Sequence, residues 1–295
     1  MIKAKKINFI PSNHLSEGNW GEISKKLKFF HDSRSKINCY EWLDRAIKEE
    51  SIEGKWIGFL HNTISYPENE YPNKYKNKIL PISKLKDNKY FKEKIKSCQG
   101  IFVFTKNVKK YIDLNLKTNV NFLYHPILNY KKEWKCGEQV VHAGQQLRKY
   151  HSFLQIVTNK KKIILKPRHC EFDLQEMKKY SKGFAEEIGY LKPEFYIDLL
   201  CRSVVFLDLY DVAACNLINE CISLNVPIVV KKMPGCIEYL GDTYPLYFED
   251  LKEAEAKLND EKLILESHFY LKSMNKKELS LNYFLYDFAK KSNLI

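Results

Sequence analysis

The chain lacks any run of about 18 apolar residues, so no stretch of it reads as a membrane-spanning helix. It also lacks a C-x-x-C pair, and none of its Cys and His fall at zinc-site spacing. The eight cysteines (Cys39, Cys98, Cys136, Cys170, Cys201, Cys215, Cys221 and Cys236) stand apart, several inside apolar runs. There a thiol acts as a small hydrophobe. That usage argues against a disulfide-built secreted scaffold and for reduced thiols in the cytoplasm. The opening MIKAKKINFIPSN has no long apolar region of the signal-peptide kind, which agrees with a cytoplasmic expectation. No internal repeat, helix-turn-helix or base-reading Arg/Asn cluster is evident.

What is present suits two α/β domains. The 295 residues exceed one ordinary doubly wound domain, and 44% hydrophobic with 14% aromatic content is ample for cores. The net charge of +13 is lopsided: residues 1–135 hold 27 Lys and Arg against 14 Asp and Glu, and the rest balance at zero. Such a field suits polyanions or an anionic membrane surface. Lysines that only solvate a surface give the same total. The densest run, residues 74–96, mixes Lys with Tyr75, Leu80, Leu85, Tyr90 and Phe91. It is either an interfacial anchor or a helix with one wet face.

Along the chain, apolar strand candidates alternate with helices. Lys6–Ile10, Trp56–Leu60, Ile101–Phe104 and Val120–Tyr124 read as strands of a first series. Residues 20–33, Cys39–Ile47 and Asn107–Leu114 read as its helices, and Thr63–Asn77 as a surface loop. The polar stretch Asn129–Gly137 reads as a linker. A second series has strands at Val140–His142, Ile163–Leu165, Val204–Leu209 and Ile228–Val230. Its helices fall at Ser152–Val157, Asp173–Ala185, Tyr196–Leu200, Asn216–Leu224, Leu251–Leu258 and Leu263–Met274. The tail Lys277–Ser292 carries Leu279, Tyr283, Phe284 and Phe288, too apolar a load for a free end, and is expected to pack back on the body.

The segment Cys201–Leu246 concentrates the chemistry. It reads as a βαβ unit whose carboxyl-end crevice can hold a ligand. Asp211, the amides around a helix-capping Asn216, and a loop Lys231–Glu238 would project there. Glu220 lies in an otherwise apolar helix, where a carboxylate needs a partner or a ligand. His61 ends a strand of the first series and could hydrogen-bond a sugar or act as a base.

Several fragments in order carry a family resemblance. Trp56–Asn62 (WIGFLHN), Cys98–Thr105 (CQGIFVFT) followed by Tyr124-His125-Pro126, and Val140–Arg148 (VVHAGQQLR) resemble segments of bacterial and viral GT-B glycosyltransferases. Asn216–Ile222, Asn225–Val229 and Glu238–Leu246 are similar to the nucleotide-sugar motif of the same enzymes. The resemblance implies two Rossmann-like domains facing each other across a cleft, with a C-terminal helix packing back on the body. The boundaries expected are an acceptor-side domain at 1–133, a nucleotide-sugar domain at 134–275, and the returning helix at 276–295. It also implies UDP- or GDP-sugar as co-substrate and no other cofactor.

In the retaining branch of that family two Glu residues with seven residues between them mark the donor site. Glu220 matches the second, which would bind the ribose hydroxyls, but the first position holds Val212, with Asp211 the nearest carboxylate. Arg148 and Lys166 are the matching candidates for the diphosphate, with Arg168 a rival for the latter; Gly144, Asn216 and Glu238 complete the expected donor side, with His61 and Asp211 as catalytic candidates. No D-x-D occurs, so a metal-held diphosphate is not expected.

The expected activity is sugar transfer to a glycan, lipid-linked or other acceptor in surface polysaccharide or glycoconjugate synthesis. It could proceed at the inner membrane face, with anionic lipid as a peripheral partner. Two rivals stay open: a DNA-modifying glycosyltransferase using the basic half, and a catalytically silent binding or scaffold subunit.

Overall fold

The computed structural model describes residues 6–11, 19–66, 80–144, 146–165 and 181–294. Lys74, Lys76, Lys78, Lys166, Arg168, most of the Thr63–Asn77 loop and most of the Asp173–Ala185 helix expected from sequence lie outside them. The chain divides into two units: Met1–Ile127, Ala213–Asn216 and Lys276–Ile295 form the first, and Leu128–Val212 and Leu217–Asn275 the second.

The first unit is built on a five-stranded sheet in the order β1-β2-β3-β4-β5. The strands are β1 (Asn8–Ile10), β2 (Ile37–Tyr40), β3 (Lys55–Leu60), β4 (Cys98–Val103) and β5 (Val120–Phe122), and all pair in parallel. Helices α1 (Asn19–Leu27), α2 (Leu43–Lys48), α3 (Lys89–Lys94) and α4 (Lys106–Asn115) connect them. Successive side chains of a strand point to opposite faces. Trp56 and Leu60 of β3 therefore pack with Ile101 and Val103 under α2, α3 and α4. Ile57 and Phe59 instead join Phe102, Phe104 and the α1 residues Trp20, Ile23 and Leu27. A sheet covered on both faces has no polar alternation to show, which is why WIGFL and IFVF read as unbroken apolar runs. Gly58 fits because α2 presses on β3: a Cβ there would lie 3.0 Å from Leu43 Cβ.

Cys39–Ile47 is not one helix. Ile37–Tyr40 is β2, paired between β1 and β3, and the helix starts only at Leu43. Cys39 and Tyr40 go to opposite cores, as extended backbone requires.

The second unit has a six-stranded sheet in the order β11-β10-β9-β6-β7-β8. In chain order it contains β6 (Gln139–His142), α5 (Tyr150–Gln155), β7 (Lys161–Leu165), β8 (Ala185–Ile188), α6 (Pro193–Cys201) and β9 (Ser203–Leu207). Then come α7 (Asn216–Leu224), β10 (Ile228–Lys231), α8 (Pro234–Leu240), β11 (Tyr247–Phe248), α9 (Leu251–Leu258) and α10 (Glu261–Ser273). All pairings are parallel. The chain lays β6, β7 and β8 outward to one side, then returns beside β6 with β9 and builds toward the other edge. Between β6 and β9 the order reverses.

Three readings change here. Ala185 begins an edge strand instead of ending a helix. Lys231–Glu238 is not all loop: Pro234 opens α8, with Cys236, Tyr239 and Leu240 buried along it. Proline suits a first helical position, where no amide bond is lost. The stretch Asn129–Gly137 is tied down within the second unit: Trp134 Nε1 donates to Ser203 O at 2.9 Å, and Lys135 N to Cys201 O at 2.8 Å.

The tail folds as α11 (Leu281–Lys291), with Ser280 Oγ accepting from Tyr283 N at 3.2 Å as its cap. Phe284 and Phe288 enter the α1 face of the first sheet, and Lys291 Nζ donates to Phe122 O at 2.7 Å. Among the described residues no helix is long and apolar enough to cross a membrane.

Candidate functional site

In an open parallel sheet, the loops leaving adjacent strands in opposite directions open a crevice at their carboxyl ends. In the second unit that point lies between β6 and β9. The loop after β6 and the loop after β9 are laced together by backbone contacts. Arg148 and Leu209 form an antiparallel bridge, Lys149 N donates to Asp208 O at 3.0 Å, and Tyr210 N to Leu147 O at 3.1 Å.

The first loop folds around Arg148. Gly144 has φ +87°, and a Cβ there would sit 3.0 Å from Arg148 Nη2. Glycine is thus required both for the backbone conformation and for the approach of the guanidinium. Arg148 Nη1 donates to Gln146 O at 3.0 Å, and Tyr150 Oη donates to Gly144 O. The guanidinium is thereby held by the carbonyls of its own loop. Beneath it His142 is fully buried, with Nδ1 and Phe206 O 3.2 Å apart. Burial, then the Arg148 charge, push this imidazole down to about 3, so it is neutral.

Glu220 sits on α7, where Leu217, Ile218, Cys221 and Ile222 are all buried, and is itself 5% exposed. Burial raises its carboxyl to about 7; a hydrogen bond from Tyr196 and the Arg148 charge pull the other way. The Tyr196 hydroxyl, from α6, donates to Glu220 Oε2 at 2.6 Å. Gly144, Arg148 and Glu220 thus belong to one electrostatic neighbourhood at the switch point. A cation and a buried hydrogen-bond acceptor there can hold an anionic group joined to a hydroxylated one.

The other candidates stand on α7, on α8 and in the loop after β9. Asn216 is the first residue of α7, not the cap before it, and groups with the first unit. Asp211 lies in the loop after β9, where its Oδ1 accepts from Val212 N at 2.8 Å. Glu238 is half-buried on α8. Lys166 lies outside the described residues. Val212, where a carboxylate was sought, is buried and apolar.

Two residues at this point are absent from the sequence reading. One is Tyr196. The other is Asp208, 6% exposed directly after β9, whose Oδ2 accepts from Ser152 Oγ at 2.7 Å. A carboxylate interrupting the apolar run SVVFLDL was the available signal.

In the first unit, buried polar groups gather at the carboxyl ends of the strands. Glu41 and Asp44 follow β2, His61 and Asn62 follow β3, Thr105 follows β4, and His125 follows β5. His61 stacks on Trp42 with centroids 4.1 Å apart and meets the edge of Trp20 at 4.5 Å. Its Nε2 lies 3.0 Å from Glu41 O, and its backbone N donates to Asp44 Oδ2 at 2.8 Å. Burial, then the neighbouring His125, lower the His61 imidazole to about 3, and burial lowers His125 to about 4. Both rings are neutral at physiological pH. Burial raises Asp44 to about 7 against the pull of the amides it accepts from.

No protein-family model matches the sequence, and no curated protein matches it. Solved structures do match. HepE of Anabaena, in complex with UDP-glucose, aligns with a TM-score of 0.67 at 10% identity, over 88% of this chain and 79% of that one. A mutant of S. aureus TarM in complex with fondaparinux, α-GlcNAc-glycerol and UDP aligns with a TM-score of 0.66 at 14% identity, over 87% of this chain and 55% of that one. An α,α-trehalose-phosphate synthase (UDP-forming) from Burkholderia xenovorans, in complex with glucose-6-phosphate, gives 0.59 at 9% identity, over 96% and 79%. At such identities a likeness speaks for architecture: the two parallel-sheet units of this chain make a GT-B fold.

Proposed function

We propose that this chain is a glycosyltransferase that takes a sugar from a nucleotide donor, a UDP- or GDP-sugar, and delivers it to a glycan or lipid-linked acceptor. The observation that carries the reading is Glu220: a buried carboxylate at the switch point of the second sheet, within electrostatic reach of Arg148. A ribose offers a carboxylate two hydroxyl donors, and a diphosphate offers a guanidinium its oxygens. Departure of a nucleoside diphosphate builds negative charge, which Arg148 and the first amides of α7 would stabilise without a required metal. The shared fold with proteins solved with UDP or UDP-glucose supports the same assignment.

His61 enters as a hydrogen-bonding group for a sugar rather than as the base, because an imidazole lowered to about 3 does not take up a proton near neutral pH. Asn216, Glu238 and Lys166 are proposed as further donor-side groups, and Asp211 as a catalytic group. Peripheral contact with anionic lipid through the basic first half, and a role in surface polysaccharide or glycoconjugate synthesis, belong to the same proposal. A catalytically silent binding subunit is the second reading, favoured by the buried Val212 at the position of the first family glutamate.

Thermal unfolding with a panel of nucleoside diphosphates and nucleotide sugars tests the reading. UDP or GDP at about 100 times Kd should stabilise the fold by about 2.7 kcal/mol. Glu220→Ala should remove that stabilisation and donor turnover together. No shift with any nucleotide would overturn the assignment, and a shift without transfer or hydrolysis would favour the silent subunit.

A further inference from the structure

We infer that Tyr196 is a positioning residue for the nucleotide's ribose: from α6 its hydroxyl holds one oxygen of Glu220 in place so that the carboxylate meets a vicinal diol. The inference rests on the donor-site reading above and adds a residue to it. Four observations carry it. Tyr196 Oη donates to Glu220 Oε2 at 2.6 Å across 24 residues of sequence. Among the described residues no hydrogen bond reaches Oε1. Leu217, Ile218 and Ile222 of the same helix are buried apolar side chains with no hydrogen bond to offer the carboxylate. Tyr196 is set on α6, an element distinct from the loops that would receive a diphosphate.

Among the described residues the charged and titratable groups that act on the pair are few. Arg148 reaches Glu220 from the loop after β6; Cys221 of α7 and Tyr130 act on Tyr196. The phenol is driven well above its usual range by burial and by the Glu220 charge, so it remains a donor throughout the accessible pH range. Glu220, raised to about 7, is divided between acid and carboxylate near neutrality. A diol donating two hydroxyl protons binds the carboxylate and not the acid. Without the tyrosine hydroxyl the acid form gains, and the carboxylate needed for ribose appears only at higher pH.

The experiment measures UDP and 2′-deoxy-UDP binding by calorimetry from about pH 5.5 to about pH 8.5, spanning the transition expected from linkage. Wild type should gain UDP affinity with pH and prefer UDP to the deoxy form. Tyr196→Phe keeps the ring and should move the rise to higher pH, weaken UDP roughly tenfold at pH 7, and shrink the ribose preference. Glu220→Gln should flatten the pH profile. Phe195→Ser, at a residue 56% exposed on the same helix, should change none of these. Equal pH profiles and equal ribose preference in wild type and Tyr196→Phe would overturn the inference while leaving the donor site standing. Absence of UDP and GDP binding to wild type at every pH would overturn the donor site itself. Carboxyl-carbon NMR of wild type gives a readout that needs no variant: the Glu220 titration should drop on saturation with UDP, and an unmoved titration would also overturn the inference.

Discussion

The two sheets differ in one topological respect that decides what each can hold. The first runs β1-β2-β3-β4-β5 without reversal; the second reverses between β6 and β9. At the reversal, the loops after β6 and β9 are laced together by backbone bonds beside Arg148. Without one, the carboxyl ends of the first sheet hold neutral imidazoles, Glu41 and Asp44 among aromatic rings. The net charge of +13 nonetheless comes from the half that supplies the first sheet. The excess lysine therefore does not coincide with the candidate anion site. The candidate anion site lies in the charge-balanced half, where the Arg148 guanidinium is held by carbonyls of its own loop.

This contrast can be broken in three ways. The largest effect is on the first sheet. Phe288 is fully buried there, and Phe288→Ala should cost about 3–5 kcal/mol in denaturant unfolding while sparing nucleotide stabilisation of the second unit. A loss under about 1 kcal/mol would mean that the tail is not part of that core. Next comes the loop that makes the second sheet different. Gly144→Ala adds strain of about 1–3 kcal/mol and drives a methyl at the Arg148 guanidinium, so UDP affinity should fall by roughly tenfold or more. Gly183 also has positive φ, +81°, but nothing within 4 Å of a built Cβ. Gly183→Ala should therefore strain the chain and leave UDP binding unchanged; equal losses in both would remove the guanidinium from the explanation.

The smallest effect is in pH dependence. His142 is lowered by burial to about 3, so the folded state binds fewer protons than the unfolded one between that value and about 6.5. Its contribution is complete above about pH 6.5 and declines as pH falls. Glu220 and Asp44, raised to about 7, act in the opposite sense: the folded state keeps their protons, so their share grows as pH falls from about 7 toward about 4. The difference between wild type and His142→Phe isolates the imidazole. It should move in favour of the variant by about 1–2 kcal/mol from about pH 6.5 to about pH 4.5. A difference that does not change with pH would mean that His142 is not held neutral by burial.

Much of this architecture is legible in the sequence where burial forces the pattern. SVVFL, IFVF and WIGFL leave little alternative to strands covered on both faces. Glu220 was legible for the same reason, as a charge where the helix has no wet face. What escaped is what the apolar pattern does not require. Among the described residues β8, of sequence AEEI, is an edge strand paired with β7, a place where two glutamates can reach solvent. The Pro234-Gly235 pair at the head of α8 resembles a turn, because proline marks loops and helix starts alike. Tyr196 was illegible because its hydrogen-bond partner is on another helix, brought close only when both pack on the sheet. Asp208 was hidden inside a strand assignment drawn two residues too long.

The return of α11 to the first sheet has a consequence for how the protein is made. A ribosome releases the strands of the first unit early, but the aromatic face formed by Trp20, Phe59 and Phe102 waits for Phe284 and Phe288. Every residue assigned to the second unit leaves the ribosome before them. The portion made first is therefore the portion finished last. During that interval it exposes a sheet face rich in phenylalanine, the kind of surface on which chaperones and aggregation compete.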